Sequence, residues 1–178
     1  MEIIAGAFRG RRILSPPPEV RPIPVLLRKS MFDILGGRIQ GCSFLDGFAG
    51  SGIVGIEAIS RGAARVDFVE SDRQVVRLLE KNLARLGSPD AAMVHAARYE
   101  DFLGTVASPY EIIFLDPPYD QPSPEALVEL TRRSGVTGPQ TLLIVKASTR
   151  WPWAEAHERM FRKKVQGSNS LYFFRCDD

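Results

Sequence analysis

The sequence is poor in the residues that build covalent frameworks and metal sites. It holds two cysteines, Cys42 and Cys176, and two histidines, His95 and His157, in 178 residues. Two cysteines make neither a disulfide scaffold nor a zinc cluster, and no metal site is expected. So little thiol chemistry fits a cytoplasmic protein in a reducing compartment. Long hydrophobic runs are also missing. The longest, such as Thr141-Leu-Leu-Ile-Val145, have the length of a buried strand, not the roughly 18 residues of a membrane span. No membrane partner is expected, and the opening residues carry too short an apolar stretch for a signal peptide. Repeats and low-complexity tracts are absent too. With 44% hydrophobic and 25% charged residues, disorder is excluded as the default. A chain of this length buries roughly 70% of its unfolded surface and folds without a staple. A monomer is expected.

Net charge is only +2, but it is unevenly placed. Residues 1–40 carry seven Lys/Arg (Arg9, Arg11, Arg12, Arg21, Arg28, Lys29, Arg38) against three acids, and the remainder is slightly acidic. A basic front suits either a polyanion partner or a solvated face. It suggests an appendage, residues 1–40, before a main domain, residues 41–178.

Residues 1–14 alternate around Gly6 and Gly10 and suggest a short hairpin. The stretch 15–24 holds five prolines, which fix φ and remove donors, so it reads as an extended connector. Leu26, Leu27, Ser30, Met31, Ile34 and Leu35 then follow helical spacing, and Gly36-Gly37 ends that helix. From residue 42 the rhythm becomes strand, turn, helix. Strands are predicted at 42–47, 65–70, 91–95, 110–116 and 140–147, and helices at 51–61, 72–86, 98–104 and 123–134. Such alternation implies a parallel sheet with helices on both faces. Residues 159–166 and 170–175, joined by Gly167-Ser-Asn169, read as a closing antiparallel hairpin. A mostly parallel α/β sheet ending this way is the Rossmann-like architecture of class I S-adenosylmethionine-dependent methyltransferases. A plain nucleotide-binding Rossmann domain is the alternative.

Leu45-Asp46-Gly-Phe-Ala-Gly50-Ser-Gly52-Ile-Val-Gly55 is a strand running through a glycine loop into a helix. Glycines permit close backbone approach, and a helix start offers free N–H groups. The G-x-G-x-x-G spacing alone is a weak signal. Glu70, at the end of the next strand, is placed to accept both hydroxyls of a ribose. Asp46 would face a dinucleotide pyrophosphate unfavourably, yet suits a cofactor bearing an amino group and a sulfonium. S-adenosylmethionine is therefore the expected cofactor.

The most specific feature is Asp116-Pro117-Pro118-Tyr119, delivered by the apolar run Ile112-Ile-Phe-Leu115. An exocyclic amine on a base is a poor nucleophile because its lone pair is conjugated with the ring. Asp116 and the Pro117 carbonyl can accept its two N–H bonds, turning the lone pair toward a methyl donor and stabilising positive charge on nitrogen. The prolines add no competing donors. Tyr119 can stack on an unpaired or flipped base.

At these residues the chain resembles the RsmD-type methyltransferases, which methylate the N2 amine of a guanine in 16S ribosomal RNA. The resemblance covers nearly the whole chain, through Ile4-Ala-Gly-Ala-Phe-Arg-Gly-Arg11, Arg21-Pro22, Phe32-Asp-Ile-Leu35, Leu45–Gly52, Glu57–Ala64, Phe68-Val-Glu70 and Asp116–Tyr119. It implies a cofactor site at Asp46, Phe48, Ala49, Gly50, Ser51, Gly52, Glu70 and Ser71, with Arg98 and Tyr99 beside the adenine. It implies a methyl-transfer site at Asp116, Pro117, Pro118 and Tyr119, and 16S ribosomal RNA or the small ribosomal subunit as partner. Arg9, Arg11, Arg12, Arg21, Lys163 and Lys164 are the candidate RNA contacts. Several positions depart from the family pattern. Ile23, Pro24, Val25 and Leu26 stand where two threonines, an aspartate and an arginine are usual. Arg98 replaces an Asp or Asn and cannot accept the adenine amine, leaving Asp101 or the nearby backbone to do so. Lys146 stands where an acid is common. Gly47 replaces a leucine, which would loosen packing.

Other classes are open at this point. A non-catalytic RNA-binding relative would explain the altered 23–26 segment. Methylation of a DNA amine normally needs a recognition domain, and a protein glutamine target fits the basic front poorly. A nicotinamide oxidoreductase would leave Asp116–Tyr119 without a role. His95 is expected to be structural, His157 to lie on the surface, Cys42 to pack as a small hydrophobe, and Trp151-Pro-Trp153 to plug the core beneath the closing hairpin.

Overall fold

The computed structural model describes residues 1–16, 22–118 and 123–176. Within them the elements run α1 (Val25–Leu35), a short 3-10 turn (Gly36–Ile39), β1 (Ser43–Asp46), α2 (Ile53–Ser60), β2 (Arg65–Glu70), α3 (Arg73–Arg85) and β3 (Ala92–Ala96). They continue through α4 (Tyr99–Leu103), β4 (Ile112–Leu115), α5 (Pro124–Arg133), β5 (Leu142–Ser148), α6 (Pro152–Ala156), β6 (Met160–Gln166) and β7 (Asn169–Arg175). The seven strands form one sheet in the order β3-β2-β1-β4-β5-β7-β6. β1 to β5 are parallel, and β7 enters antiparallel between β5 and the edge strand β6. The expected parallel sheet with a closing hairpin is present.

The short central strands are apolar along their length because helices cover both faces. Alternate residues of each strand feed opposite layers, as the two-residue period requires. Phe44, Phe68, Ile112, Phe114, Ile144 and Phe173 pack on one side with α1, α2 and α3. Leu45, Val69, Ile113, Leu115, Leu143, Val145, Tyr172 and Phe174 pack on the other with α4, α5 and α6. Trp151 lies buried against Tyr172 and Phe174, with ring centroids 5.1 and 6.1 Å away. It is thus the expected plug under β7.

Residues before β1 share the first layer. Ile3, Ile13, Leu27, Met31, Phe32 and Leu35 are buried together with Phe44 and Phe68. The reversal over 1–14 is not a laddered hairpin but holds one bridge, Glu2 to Arg12. Its turn is committed elsewhere. Ile4 and Ala5 donate their N–H groups to Glu57 at 2.9 and 3.1 Å, and Ala7 donates to the Ser60 carbonyl at 2.7 Å. Glu57 is fully buried in α2 and also faces Arg61 at 2.8 Å and Arg28 at 3.9 Å. Arg28, counted in the basic front, is itself only 1% exposed and donates to the Glu2 carbonyl at 2.6 Å. It belongs to the core, not to a solvent face. Desolvation pulls its pKa below the usual arginine value, against the attraction of Glu57.

Three other expectations shift. β4 ends at Leu115, short of 116, because the two prolines that follow Asp116 cannot donate to a ladder. α2 begins at Ile53, because Gly50 and Gly52 hold positive φ angles of 54° and 82°. His157 is not a surface residue. Its ring is 11% exposed, 4.6 Å from Trp153 and 5.5 Å from Phe174, because α6 turns it inward. Among the described residues no helix is long and apolar enough to cross a membrane.

Candidate active site

Chain order reverses between β1 and β4, which is where open α/β sheets leave a crevice beyond the carboxyl ends of their strands. A cavity of about 1110 Å³ lies there, and the glycine loop, Glu70 and Asp116 all border it. Of the ten expected cofactor residues, Asp46, Phe48, Ala49, Gly50, Ser51, Glu70, Ser71, Arg98 and Tyr99 line this space. Gly52 shapes it instead. A Cβ there would strike Leu79 at 2.2 Å, and φ is +82°, so only glycine lets the loop turn into α2 while packed on α3.

Two carboxylates fasten the loop. Asp46 is 1% exposed and accepts the Gly55 N–H at 3.0 Å, across the first turn of α2. Burial pushes its pKa up to about 7, opposed by the Gly55 bond and aided by the nearby charges of Asp116 and Glu70. Glu70 accepts the Gly50 N–H at 3.0 Å through one oxygen and the Asp72 N–H at 2.9 Å through the other. Its carboxylate is therefore fixed at the cavity wall, with lone pairs remaining for hydroxyl donors.

At the opposite wall, the register of β4 against β5 pairs Leu115 with Val145. The next residues on each strand are Asp116 and Lys146, and the Lys146 ammonium donates to Asp116 Oδ1 at 2.7 Å. Both are largely buried, with side chains 18% and 9% exposed. Burial lifts the Asp116 pKa above the carboxylate range, while Lys146 draws it back. Asp116, Pro117 and Pro118 all border the cavity. Tyr119 and Arg21 lie outside the described residues.

The departures at Gly47 and Arg98 have structural readings. Gly47 does not loosen packing. A Cβ there would meet Leu115 at 2.5 Å and the Tyr99 ring at 2.8 Å, so the volume is already filled. Tyr99 is anchored by a 2.9 Å bond to Thr131 Oγ1 and packs on Phe48 with centroids 5.2 Å apart. Arg98 borders the cavity, but its side chain is 68% exposed and faces Glu100 at 3.6 Å. Its guanidinium is a rim charge. Beyond the residues expected from the sequence, Ile23 and Val75 supply apolar wall and Lys146 joins the site. A single charge directly after the apolar run Leu142–Val145 of a parallel strand is the signal that marks Lys146.

The expected basic residues fall into two groups. Arg9, Arg11 and Arg12 are exposed. The turn that carries Arg9 packs on the carboxyl end of α2, about 12 Å of helix from the loop at its other end. Arg11 also donates to the Arg85 carbonyl, and Arg12 faces Glu2 at 3.8 Å. On β6, Lys164 is exposed, whereas Lys163 is held by Glu155 and by the Thr149 carbonyl at 2.9 Å. His95 bonds buried Asp67 at 2.6 Å, away from the main cavity, in keeping with a structural role.

Comparison with known proteins agrees with this geometry. Residues 1–175 match the family described as Conserved hypothetical protein 95. The chain is 35% identical over 170 residues to ribosomal RNA small subunit methyltransferase D of Escherichia coli strain K12, covering 94% of this chain and 85% of that protein. The solved Escherichia coli structure of yhhF superposes with a TM-score of 0.87 at 30% identity, over 100% of this chain and 98% of the other. A hypothetical protein from Thermus superposes with a TM-score of 0.84 at 32% identity, over 98% and 99%. More distantly, an RNA methyltransferase from Salinibacter ruber, solved with S-adenosyl-L-homocysteine, shares the fold at 17% identity and a TM-score of 0.66, over 89% and 95%. The fold is that of the class I methyltransferases, and the chain belongs to the ribosomal RNA small subunit methyltransferase D family.

Proposed function

We propose that this protein transfers a methyl group from S-adenosylmethionine to the exocyclic N2 amine of a guanine in 16S ribosomal RNA, within the small subunit or its assembly intermediate. The observation that carries this reading is one cavity bordered both by the glycine loop with Glu70 and by Asp116-Pro117-Pro118. Its chemistry suits the cofactor. Asp46, Glu70 and Asp116 give the walls an excess of carboxylates, favourable to a ligand bearing an amino group and a sulfonium and unfavourable to a pyrophosphate.

Each residue then has a role. Glu70 accepts from the ribose hydroxyls. Asp46 faces the amino group. Phe48, Tyr99 and Val75 supply apolar wall. The cofactor brings an electrophilic methyl bound to sulfur. Asp116 and the Pro117 carbonyl accept the two N–H bonds of the guanine amine, aim its lone pair, and stabilise the positive charge that grows on nitrogen. With the cofactor bound, the N–C bond would form as the S–C bond breaks, the demethylated thioether would leave, and the alkylated nitrogen, now acidic, would release a proton to solvent. A strong base is not required. Arg9, Arg11, Arg12 and Lys164 are offered as phosphate contacts, which hold register without reading sequence.

The test is methyl transfer to small ribosomal subunits lacking the modification, followed by nucleoside analysis. N2-methylguanosine is the expected product, and its absence, or a methyl group on another base, overturns the reading.

A further inference from the structure

The Lys146–Asp116 pair has a use beyond neutralising a buried charge. The two side chains leave adjacent parallel strands at the same level and border the same cavity. Their heavy atoms stand 2.7 Å apart, an acceptor beside a donor. A carboxylate has about four lone-pair sites and an ammonium three donors, so neither group is exhausted by the other. Side by side they present what a carboxamide presents, one acceptor and one donor on a common edge. A base that fits must offer a donor beside an acceptor.

The guanine amine has two neighbours. On one side is N1–H, a donor; on the other is N3, an acceptor. The N1–H and N2–H edge shows two donors and would call for two acceptors. The N2–H and N3 edge shows a donor and an acceptor, the complement of Asp116 and Lys146. From this juxtaposition we propose that Lys146 is a specificity-determining residue that donates to guanine N3 while Asp116 accepts the N2–H on the same side. The second N–H is then left to the Pro117 carbonyl, as the proposed transfer requires. A guanine turned to present N1–H would set a donor against an ammonium, leaving that N–H without an acceptor in a mostly buried place. This inference rests on guanine N2 being the methyl acceptor.

The experiment is a cycle between protein and base. Small subunits are assembled on RNA carrying either guanosine or 3-deazaguanosine at the mapped target. The second retains the amine but has C–H in place of N3. With the wild-type protein, 3-deazaguanosine lowers kcat/KM roughly ten- to hundredfold, the loss of a hydrogen bond to a charged donor. Lys146→Met lowers kcat/KM on guanosine by a similar factor, and the two changes together cost little more than either alone. S-adenosylmethionine binding by Lys146→Met, measured by calorimetry, stays at the wild-type level. A wild-type rate unaffected by 3-deazaguanosine overturns the inference whatever becomes of the variant. Fully multiplicative losses also overturn it, because Lys146 would then act by holding Asp116 and not by touching N3. If guanosine subunits yield no N2-methylguanosine, the underlying function falls and this inference with it; if they do and the coupling is absent, this inference falls alone.

Discussion

Glu57 and Asp116 are carboxylates that each meet a cation away from bulk solvent, and they do opposite work. Glu57 sits in α2 with no exposure, and its oxygens accept from the Ile4 and Ala5 N–H groups and from Arg61, with the Arg28 guanidinium 3.9 Å away. That constellation is closed. It ties the first residues and α1 to α2. Asp116 sits at the end of β4 with Lys146 at one oxygen and a cavity in front of it. That constellation is open. The difference is one of position, since Glu57 lies in a helix that is buried at nearly every position, whereas a carboxylate at the carboxyl end of a parallel strand faces the crevice. Burial and ion pairing alone therefore do not mark a catalytic group.

Breaking the closed cluster has the largest expected effect, and it falls on stability. Arg28→Met leaves Glu57 with one cation fewer and lowers stability by about 3–5 kcal/mol, read as a fall in urea midpoint. A change under about 1 kcal/mol would make the cluster as weak as a surface pair.

The open side is probed by pH. The Asp46 pKa is raised to about 7 in the fold, so the folded state holds a proton that the unfolded chain has lost above the ordinary carboxylate range. Stability from this group is present below about pH 4 and fades as pH climbs to about 7. Cofactor binding runs the other way, because a cationic amino group needs Asp46 ionised. Affinity for S-adenosylmethionine rises by up to about tenfold per pH unit below neutrality and then levels, while Asp46→Asn flattens the profile. Calorimetry across roughly pH 5.5–8, spanning the shifted titration, tests this, and a flat wild-type profile contradicts it. At Asp116, burial raises the pKa and Lys146 opposes it. Lys146→Met therefore moves the acid limb of the methyl-transfer rate to higher pH, and an unmoved limb would mean the pair does not govern ionisation.

The smallest effect is expected at the basic front. Replacing Arg9, Arg11 and Arg12 by alanine flattens the log–log salt dependence of RNA binding by about 1–2. Arg11 and Arg12 already have intramolecular partners, which limits the change. An unchanged slope removes them from the interface.

Most of the fold was legible in the sequence, because short apolar runs and helical stripes alternate from residue 42 onward. The cofactor wall was legible for a related reason. Strand-end acids and a glycine loop are contiguous in sequence, so Asp46–Gly52 and Glu70 are found without knowing the sheet order. What stayed hidden depends on long-range register. Lys146 meets Asp116 only because β5 pairs in parallel beside β4. Arg28 reads as one more basic residue until Glu57, 29 positions later, is placed against it. Gly47 reads as a gap until the Tyr99 ring is seen to fill the space. His157 reads as exposed because α6 is a five-residue helix too short to announce itself.

The most direct measurement is the methyl-transfer rate of Asp116→Ala on small ribosomal subunits, with cofactor saturating and its affinity measured on the same protein. Loss of the acceptor that stabilises the developing charge predicts a fall of about 10²–10³ in rate with cofactor affinity retained. A rate within about threefold of wild type, or an equal loss of cofactor binding, would contradict the role assigned to Asp116.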